Sequence, residues 1–394
     1  MNDLKLNNLI ALVIIFSCWC NLVYCFDTVA KSAIVFDETT NSVIFEKEAD
    51  KAYPPASMSK LMTLVLAFEA LEEGRIKLDT TFRVSAKASQ KGGSKMFIEE
   101  NQLVSVENLI RGITVASGND ACIALAEGLN GTEDSFVSRM NLKAKDLGLD
   151  NSQFSNSTGW PSPGHVMSAR DLLILSIYVR KNYSKYYGYF QELTYSWNGI
   201  QQSNRNPLLK LNIGADGLKT GYTRESGYGL VGSASLGARR ISFVLNGLNT
   251  SEERKLESEK IVKWAFRDFT VFSIFPDDHT LARAPVWIGD KDYAELKTKQ
   301  EINILIPYGK KNDIKATVQV KTPIRTPIKE NDQIGILKIT APSFIAGGQN
   351  RVIEFPLVSV FQVNKGNLIN KIKAAAKMGI LTALKVSIPT NISN

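Results

Sequence analysis

The sequence predicts two folded parts: an α/β (α+β) domain with an antiparallel sheet flanked by helices, then a small C-terminal all-β domain. Three observations predict it. Apolar runs of helix length and of strand length are mixed through residues 33–269. Beyond residue 284 the helical runs give way to short alternating ones separated by turn residues. At 394 residues the chain can bury a large core and exceeds the usual size of one domain.

Taken in order, Ala33-Ile34-Val35-Phe36 and Ser42-Val43-Ile44-Phe45 flank a turn at 37–41 and read as a β-hairpin. Pro54-Pro55 then punctuates the chain, and the apolar run 58–71, ending near Gly74, has helical length and pattern. Two further helical stretches, 106–115 and 121–129, are joined by the polar link Ser117-Gly118-Asn119. Lys219-Thr220-Gly221 follows Asp216-Gly217-Leu218 and precedes strand-like runs at 228–234 and 240–245, which places it on or beside an antiparallel strand. A helix-like segment at 253–269 leads to a linker-like stretch at 276–284. The runs 302–306, 315–320, 334–339 and 352–355 read as strands of a small all-β domain. That domain holds no constellation of catalytic residues, so a spacer or docking role is expected of it.

Composition narrows the classes. The net charge is +8, but residues 364–394 carry Lys365, Lys371, Lys373, Lys377 and Lys385 with no acid, leaving +3 for the rest. The basicity is local, and a nucleic-acid footprint is not expected. On a helical wheel Leu368, Ile369, Ile372, Ala375, Ala376, Gly379, Ile380 and Ala383 share one side of that tail and four of its lysines the other. This is the pattern of a helix lying in an anionic membrane surface. At the other end, Lys5, the apolar stretch 9–19 and Val23-Tyr24-Cys25 describe a secretory signal peptide over 1–25. Its removal takes Cys18, Cys20 and Cys25 with it, leaving only Cys122, expected as a buried structural thiol. No Cys/His cluster has metal-ligand spacing and no Gly-rich phosphate loop occurs, so neither metal nor cofactor is expected.

The chemistry is carried by three motifs in order: Ser57-Met58-Ser59-Lys60, Ser117-Gly118-Asn119 and Lys219-Thr220-Gly221. A serine hydroxyl needs a neighbouring base before it attacks a carbonyl. The chain has only His165 and His279, neither in a triad-like signature, whereas Lys60 stands three residues along a helix from Ser57, on the same face. A helix N-terminus at Ser57 would favour a developing negative charge. Singly, each motif has a plain structural reading: a helix cap, a turn, a strand start with a solvated lysine. Ser57 is the only serine with lysine at the third position after it, and together, in order, the three form the serine acyl-transfer signature.

The motifs, their spacing and the domain order resemble the D-alanyl-D-alanine carboxypeptidases among the low-molecular-mass penicillin-binding proteins. Segments 53–63, 111–126, 216–223 and 257–266 carry the resemblance beyond the bare motifs. It implies a serine β-lactamase-like catalytic domain over 26–277, a β-sandwich over 278–363 and an amphipathic membrane-surface helix over 364–394. It also implies that Ser57 attacks the penultimate D-alanine of a peptidoglycan stem pentapeptide, with Lys60 as base, lowered by burial and by Lys219. Ser117 would relay a proton to the leaving amine, and Asn119 would hold Lys60 and the substrate amide. Lys219, Thr220 and Arg254 would bind the terminal carboxylate, with Gly221 completing the motif. The backbone N–H groups of Ser57 and Tyr222 would form the oxyanion hole. Many relatives carry His where this chain has Tyr222, so any contact made by that ring is lost while the backbone donor stays. His165 reads as structural.

By the same resemblance, β-lactams would acylate Ser57, and the enzyme would work in the periplasm at the outer face of the inner membrane. The rival readings are a DD-endopeptidase, a class A-like β-lactamase and a non-enzymatic penicillin-binding sensor. Gly118 stands where the β-lactamase motif has Asp, and no convincing counterpart of its deacylating Glu is found. Ser117 argues against esterases with Tyr in that place.

Overall fold

The structure, a computed structural model, describes residues 26–275, 280–322, 324–345, 347–367 and 369. The expected leader at 1–25, His279 with the rest of 276–279, and nearly all of the expected tail helix lie outside the described residues.

The hairpin forms as β1 (Ser32–Asp37) and β2 (Ser42–Lys47). A 3-10 turn (Ala56–Ser59) leads into α1 (Lys60–Glu72), followed by β3 (Thr81–Arg83), α2 (Ala86–Gln90), β4 (Leu103–Ser105), α3 (Val106–Thr114), α4 (Asn119–Asn130), α5 (Glu133–Asp146) and α6 (Ala169–Asn182). A small hairpin, β5 (Thr194–Trp197) and β6 (Ile200–Ser203), precedes the long strands β7 (Ala215–Thr223), β8 (Gly227–Leu236) and β9 (Arg239–Leu248), and α7 (Ser251–Asp268) closes this part. Five strands form one antiparallel sheet in the order β2-β1-β9-β8-β7, so the hairpin that opens the chain joins the late strands through β9.

Strand alternation divides the core. Ile34, Val231 and Val244 point to the helical side, where α1 and α3–α6 pack. Ala33, Val35, Leu230, Phe243 and Leu245 point to the other, covered by Ile261, Val262 and Ala265 of α7. Helix α1 is buried all round from Leu61 to Ala67, the pattern of a helix through the centre of a domain rather than on its surface. Burying each Leu of it contributes about 1.5–3 kcal/mol.

The second part consists of β10 (Phe269–Phe275), β11 (Ala282–Trp287), β12 (Tyr293–Thr298), β13 (Ile302–Pro307), β14 (Lys315–Val320), β15 (Ile324–Arg325), β16 (Gln333–Ala341) and β17 (Arg351–Ser359). Six strands, in the order β14-β16-β17-β12-β11-β15, face the β10–β13 pair. Ile302, Ile304 and Ile306 of that pair pack against Leu337, Ile339 and Leu357. Strand β10 lies on the N-terminal side of the expected 277/278 break, yet it pairs with β13, so the second part begins at Phe269. Residues 282–284, expected within the linker, belong to β11. The Phe269 ring meets Trp264 edge-on at 5.1 Å and Phe344 at 5.4 Å, tying the two parts at their junction.

Candidate active site

Ser57 lies in the 3-10 turn before α1, one step earlier than the helix start expected from the pattern. In a 3-10 turn side chains three apart eclipse, so Ser57 and Lys60 still share one side. Ala56 just before it holds φ +49°, a left-handed conformation that costs an L-residue about 1–3 kcal/mol and recurs at functional sites. Lys60 Nζ donates to Ser57 Oγ (2.8 Å), to Asn119 Oδ1 (2.7 Å) and to the Thr158 carbonyl. Lys60 is fully buried, and burial pushes its amine down to about 8, with the Arg205 and Lys91 cations acting in the same direction. The Lys60 and Lys219 charges repel each other, so each amine disfavours the protonated form of the other. Lys219 is held well below its ordinary value, by burial first and the Lys60 charge second.

Ser117 also holds a left-handed backbone, φ +59°, and its Oγ accepts from Lys219 Nζ at 2.9 Å. Gly118 caps α4, and a Cβ there would lie 2.8 Å from Asp120 Oδ1 and 3.0 Å from the Met96 nitrogen. That crowding arises because Asp120, in the first turn of α4, accepts the backbone N–H groups of Met96, Phe97 and Ile98. Asn119 adds a bond from Nδ2 to the Gly92 carbonyl (2.8 Å), so the second motif pins the 92–98 loop to the rim.

The third motif lies on β7, the edge strand beside the 3-10 turn. A Cβ at Gly221 would meet the Pro55 carbonyl oxygen at 2.9 Å and Ala56 Cβ at 3.2 Å, so only glycine lets the strand approach Ser57 this closely. Lys219 and Thr220 are buried. Tyr222 is half exposed and stacks on Tyr228 with ring centroids 4.1 Å apart, and the Arg254 guanidinium lies 5.5 Å from the Tyr228 centroid. Arg254 Nη2 donates to the Arg205 carbonyl (3.4 Å), and Arg205 Nη1 to Ser94 Oγ (2.5 Å). Arg254 Nε is buried without a partner among the described residues.

The structure thus brings Ser57, Lys60 and Asn119 into one bonded group and Ser117 and Lys219 into a second, with Thr220, Gly221, Tyr222 and Arg254 along β7 and α7. Three contributors escaped sequence reasoning: the Thr158 carbonyl, Asp120 and Arg205. Asp120 alone left a visible signal, a carboxylate opening an otherwise apolar helix directly after Ser117-Gly118-Asn119. His165 is buried, its Nδ1 accepts the Ser155 N–H (3.1 Å), and burial pushes it down to about 4, so it is a neutral structural ring. Burial raises the Cys122 thiol to about 12. Among the described residues no group of His, Cys, Asp or Glu could hold a metal ion.

A serine bonded to a buried amine, with a second serine–lysine pair closing the cleft, defines a serine-dependent hydrolase on a helix-covered antiparallel sheet. Comparison with known proteins narrows the class. Residues 23–249 match the family described as D-alanyl-D-alanine carboxypeptidase, and 269–365 match the penicillin-binding protein 5 C-terminal domain. The chain is 35% identical to the D-alanyl-D-alanine carboxypeptidase DacF of Bacillus subtilis over 90% of its own length and 91% of that protein's. It is 34% identical to DacA of Escherichia coli over 87% and 86%. Penicillin-binding protein 5 of Haemophilus influenzae superposes with a TM-score of 0.76 at 30% identity, covering 87% of this chain and all of that one. Penicillin-binding protein D2 of Listeria monocytogenes, solved in its ampicillin-bound form, superposes with a TM-score of 0.57 at 29% identity over 62% of this chain and 99% of that one. The chain belongs to the D-alanyl-D-alanine carboxypeptidase family, and it is a serine-type carboxypeptidase that acts on peptidoglycan.

Proposed function

We propose that the chain removes the terminal D-alanine of peptidoglycan stem pentapeptides through an acyl-enzyme on Ser57. The observation that carries this reading is Lys60 Nζ 2.8 Å from Ser57 Oγ, with the amine lowered to about 8. The neutral fraction of Lys60 takes the Ser57 hydroxyl proton as Oγ bonds to the carbonyl carbon of the penultimate D-alanine. The oxyanion rests against the N–H groups of Ser57 and Tyr222, fixed dipoles that need no rearrangement as charge develops. Ser117, bonded to Lys219, passes a proton to the leaving nitrogen as the C–N bond breaks, and the proton that Lys60 took from Ser57 replaces it, which leaves both Ser117 and the lysines as they began. Water then hydrolyses the ester and restores Ser57. Lys219, Thr220 and Arg254 hold the terminal carboxylate, and the unpartnered Arg254 Nε marks a buried cation that an anion would satisfy.

The leader pattern at 1–25 and the lysine-faced apolar pattern at 364–394 support export and work at the outer face of the cytoplasmic membrane. Among the described residues no helix is long and apolar enough to cross a membrane. Acylation by β-lactams follows from the same serine, since a strained cyclic amide presents the same carbonyl.

The test is D-alanine release from a peptide ending in D-Ala-D-Ala, with intact mass after penicillin. Release, with a lasting adduct that Ser57→Ala abolishes, is expected. An adduct without release would favour an endopeptidase or a sensor, and rapid loss of the drug without an adduct a β-lactamase.

A further inference from the structure

The loop that supplies the Thr158 carbonyl to Lys60 also presents an exposed tryptophan at the cleft rim. Trp160 is 42% exposed, yet its backbone is held firmly. Its N–H bonds Asn156 Oδ1 and Thr158 Oγ1, both at 3.1 Å, and its carbonyl accepts from Asn156 Nδ2 at 2.9 Å. A Cβ built on Gly93 would lie 2.7 Å from Trp160 Cζ3 and 2.9 Å from Asn119 Nδ2. The indole therefore stands next to Asn119, the residue that holds Lys60. The Lys91 ammonium lies over the indole, 4.7 Å from the ring centroid.

Cations stand near this part of the cleft. Arg205 and Lys91 are the cations that act on Lys60, and the carboxylate that does so, Asp120, has its oxygens taken by backbone N–H groups. A long cation held on a rigid aromatic plate, with no carboxylate bonded to it among the described residues, is a recognition element for an anion. In the proposed reaction the departing carboxylate is held from β7 and α7, whereas this plate adjoins Asn119 of the second motif, so the acyl part of the substrate is the part assigned to it. There the residue preceding the penultimate D-alanine projects, within one residue's reach of about 3.6 Å of chain plus its own side chain.

We infer that Trp160 and Lys91 form an acyl-side subsite that selects stem peptides whose third residue carries a free side-chain carboxylate, as a diamino diacid does. The inference rests on the carboxypeptidase reading above. Trp160 acts as the platform and Lys91 as the charge, and both are specificity-determining rather than catalytic. The contact is solvent-facing, so the preference it gives is modest, about threefold to tenfold in kcat/KM.

The experiment compares D-alanine release by the full chain from three peptides ending in D-Ala-D-Ala. Their third residue is a diamino diacid, lysine or acetylated lysine. The acid is expected to be used fastest and free lysine slowest. Lys91→Glu should reverse acid and lysine, and Trp160→Leu should flatten the series, because Lys91 loses its plate. Lys91 also acts on the Lys60 amine, but that effect is common to all three peptides and cancels in their ratios. Ratios unchanged by Lys91→Glu, or a wild-type preference for lysine, would overturn the subsite while leaving the carboxypeptidase standing. No release from any peptide by penicillin-reactive enzyme would overturn the carboxypeptidase reading, and the subsite with it.

Discussion

Gly159 sits so close to Ala56 that a Cβ on the glycine would lie 1.9 Å from the Ala56 carbonyl oxygen. Through this contact a loop 102 residues downstream of Ser57 delivers the Thr158 carbonyl to Lys60. The glycine is needed twice over, for the space and for its φ of +77°. The active-site amine is thus positioned in part from outside the three motifs.

Gly159→Ala is expected to be destabilised by more than about 1 kcal/mol, because both the space and the backbone angle exclude a side chain. Penicillin labelling should slow at least in parallel as the Thr158 carbonyl is displaced. Gly164→Ala is the control: φ is similar at +76°, but the nearest atom to its Cβ is 3.7 Å away. Thermal unfolding and acylation rates of the two variants measure the difference.

Acylation should rise with pH through about 8, since Lys60 acts only after losing its proton and its amine is lowered to that value. The sign is that of a base: slow below the lowered value, level above it. Lys60→Arg, whose guanidinium stays protonated, should lose acylation at every pH while remaining folded. A pH profile of the second-order rate constant with penicillin checks both, and a flat profile across pH 6–9 would refute the assignment.

Ser117→Ala leaves Lys219 without its 2.9 Å partner and the leaving amine without a proton donor. A loss of about 10²- to 10⁴-fold in kcat is expected, the range for removing one general acid or base. Circular dichroism should remain that of the parent. Turnover within threefold of wild type would remove Ser117 from the chemistry.

Arg254→Gln should raise KM for peptides with a free C-terminal carboxylate far more than for the same peptides as C-terminal amides. The substitution keeps hydrogen-bonding capacity but removes the buried charge. Equal losses on acid and amide would mean that Arg254 supports the Tyr228 stack and the Arg205 carbonyl rather than the substrate.

Much of the secondary structure was legible. The first hairpin, α1, α3, α4 and α7 follow from local periodicity, because each has one apolar face or, for α1, no polar face at all. Helices α5 and α6 are not among the expected elements: α5 buries only a narrow stripe around Phe136, Met140 and Ala144 amid charged neighbours. Strand β10 reads locally as the end of the first part, because its partner β13 lies about 30 residues away and pairing of that kind leaves no trace in a local window.

The sequence by itself determined the chemistry on offer: a serine and a lysine three apart, a second serine two residues before an asparagine, and a lysine on or beside an antiparallel strand. Those facts depend on spacing along one element or on residue type, which one dimension records. Only the tertiary structure decided which other groups join them. The loop of Thr158 and Trp160, Asp120 in the first turn of α4, Arg205 and Lys91 come from distant parts of the chain. Their meeting depends on close backbone approaches at Gly93, Gly118, Gly159 and Gly221, and on how deeply the core buries Lys60. Burial sets the Lys60 amine near 8, and burial is a property of the packed chain, not of any segment of it.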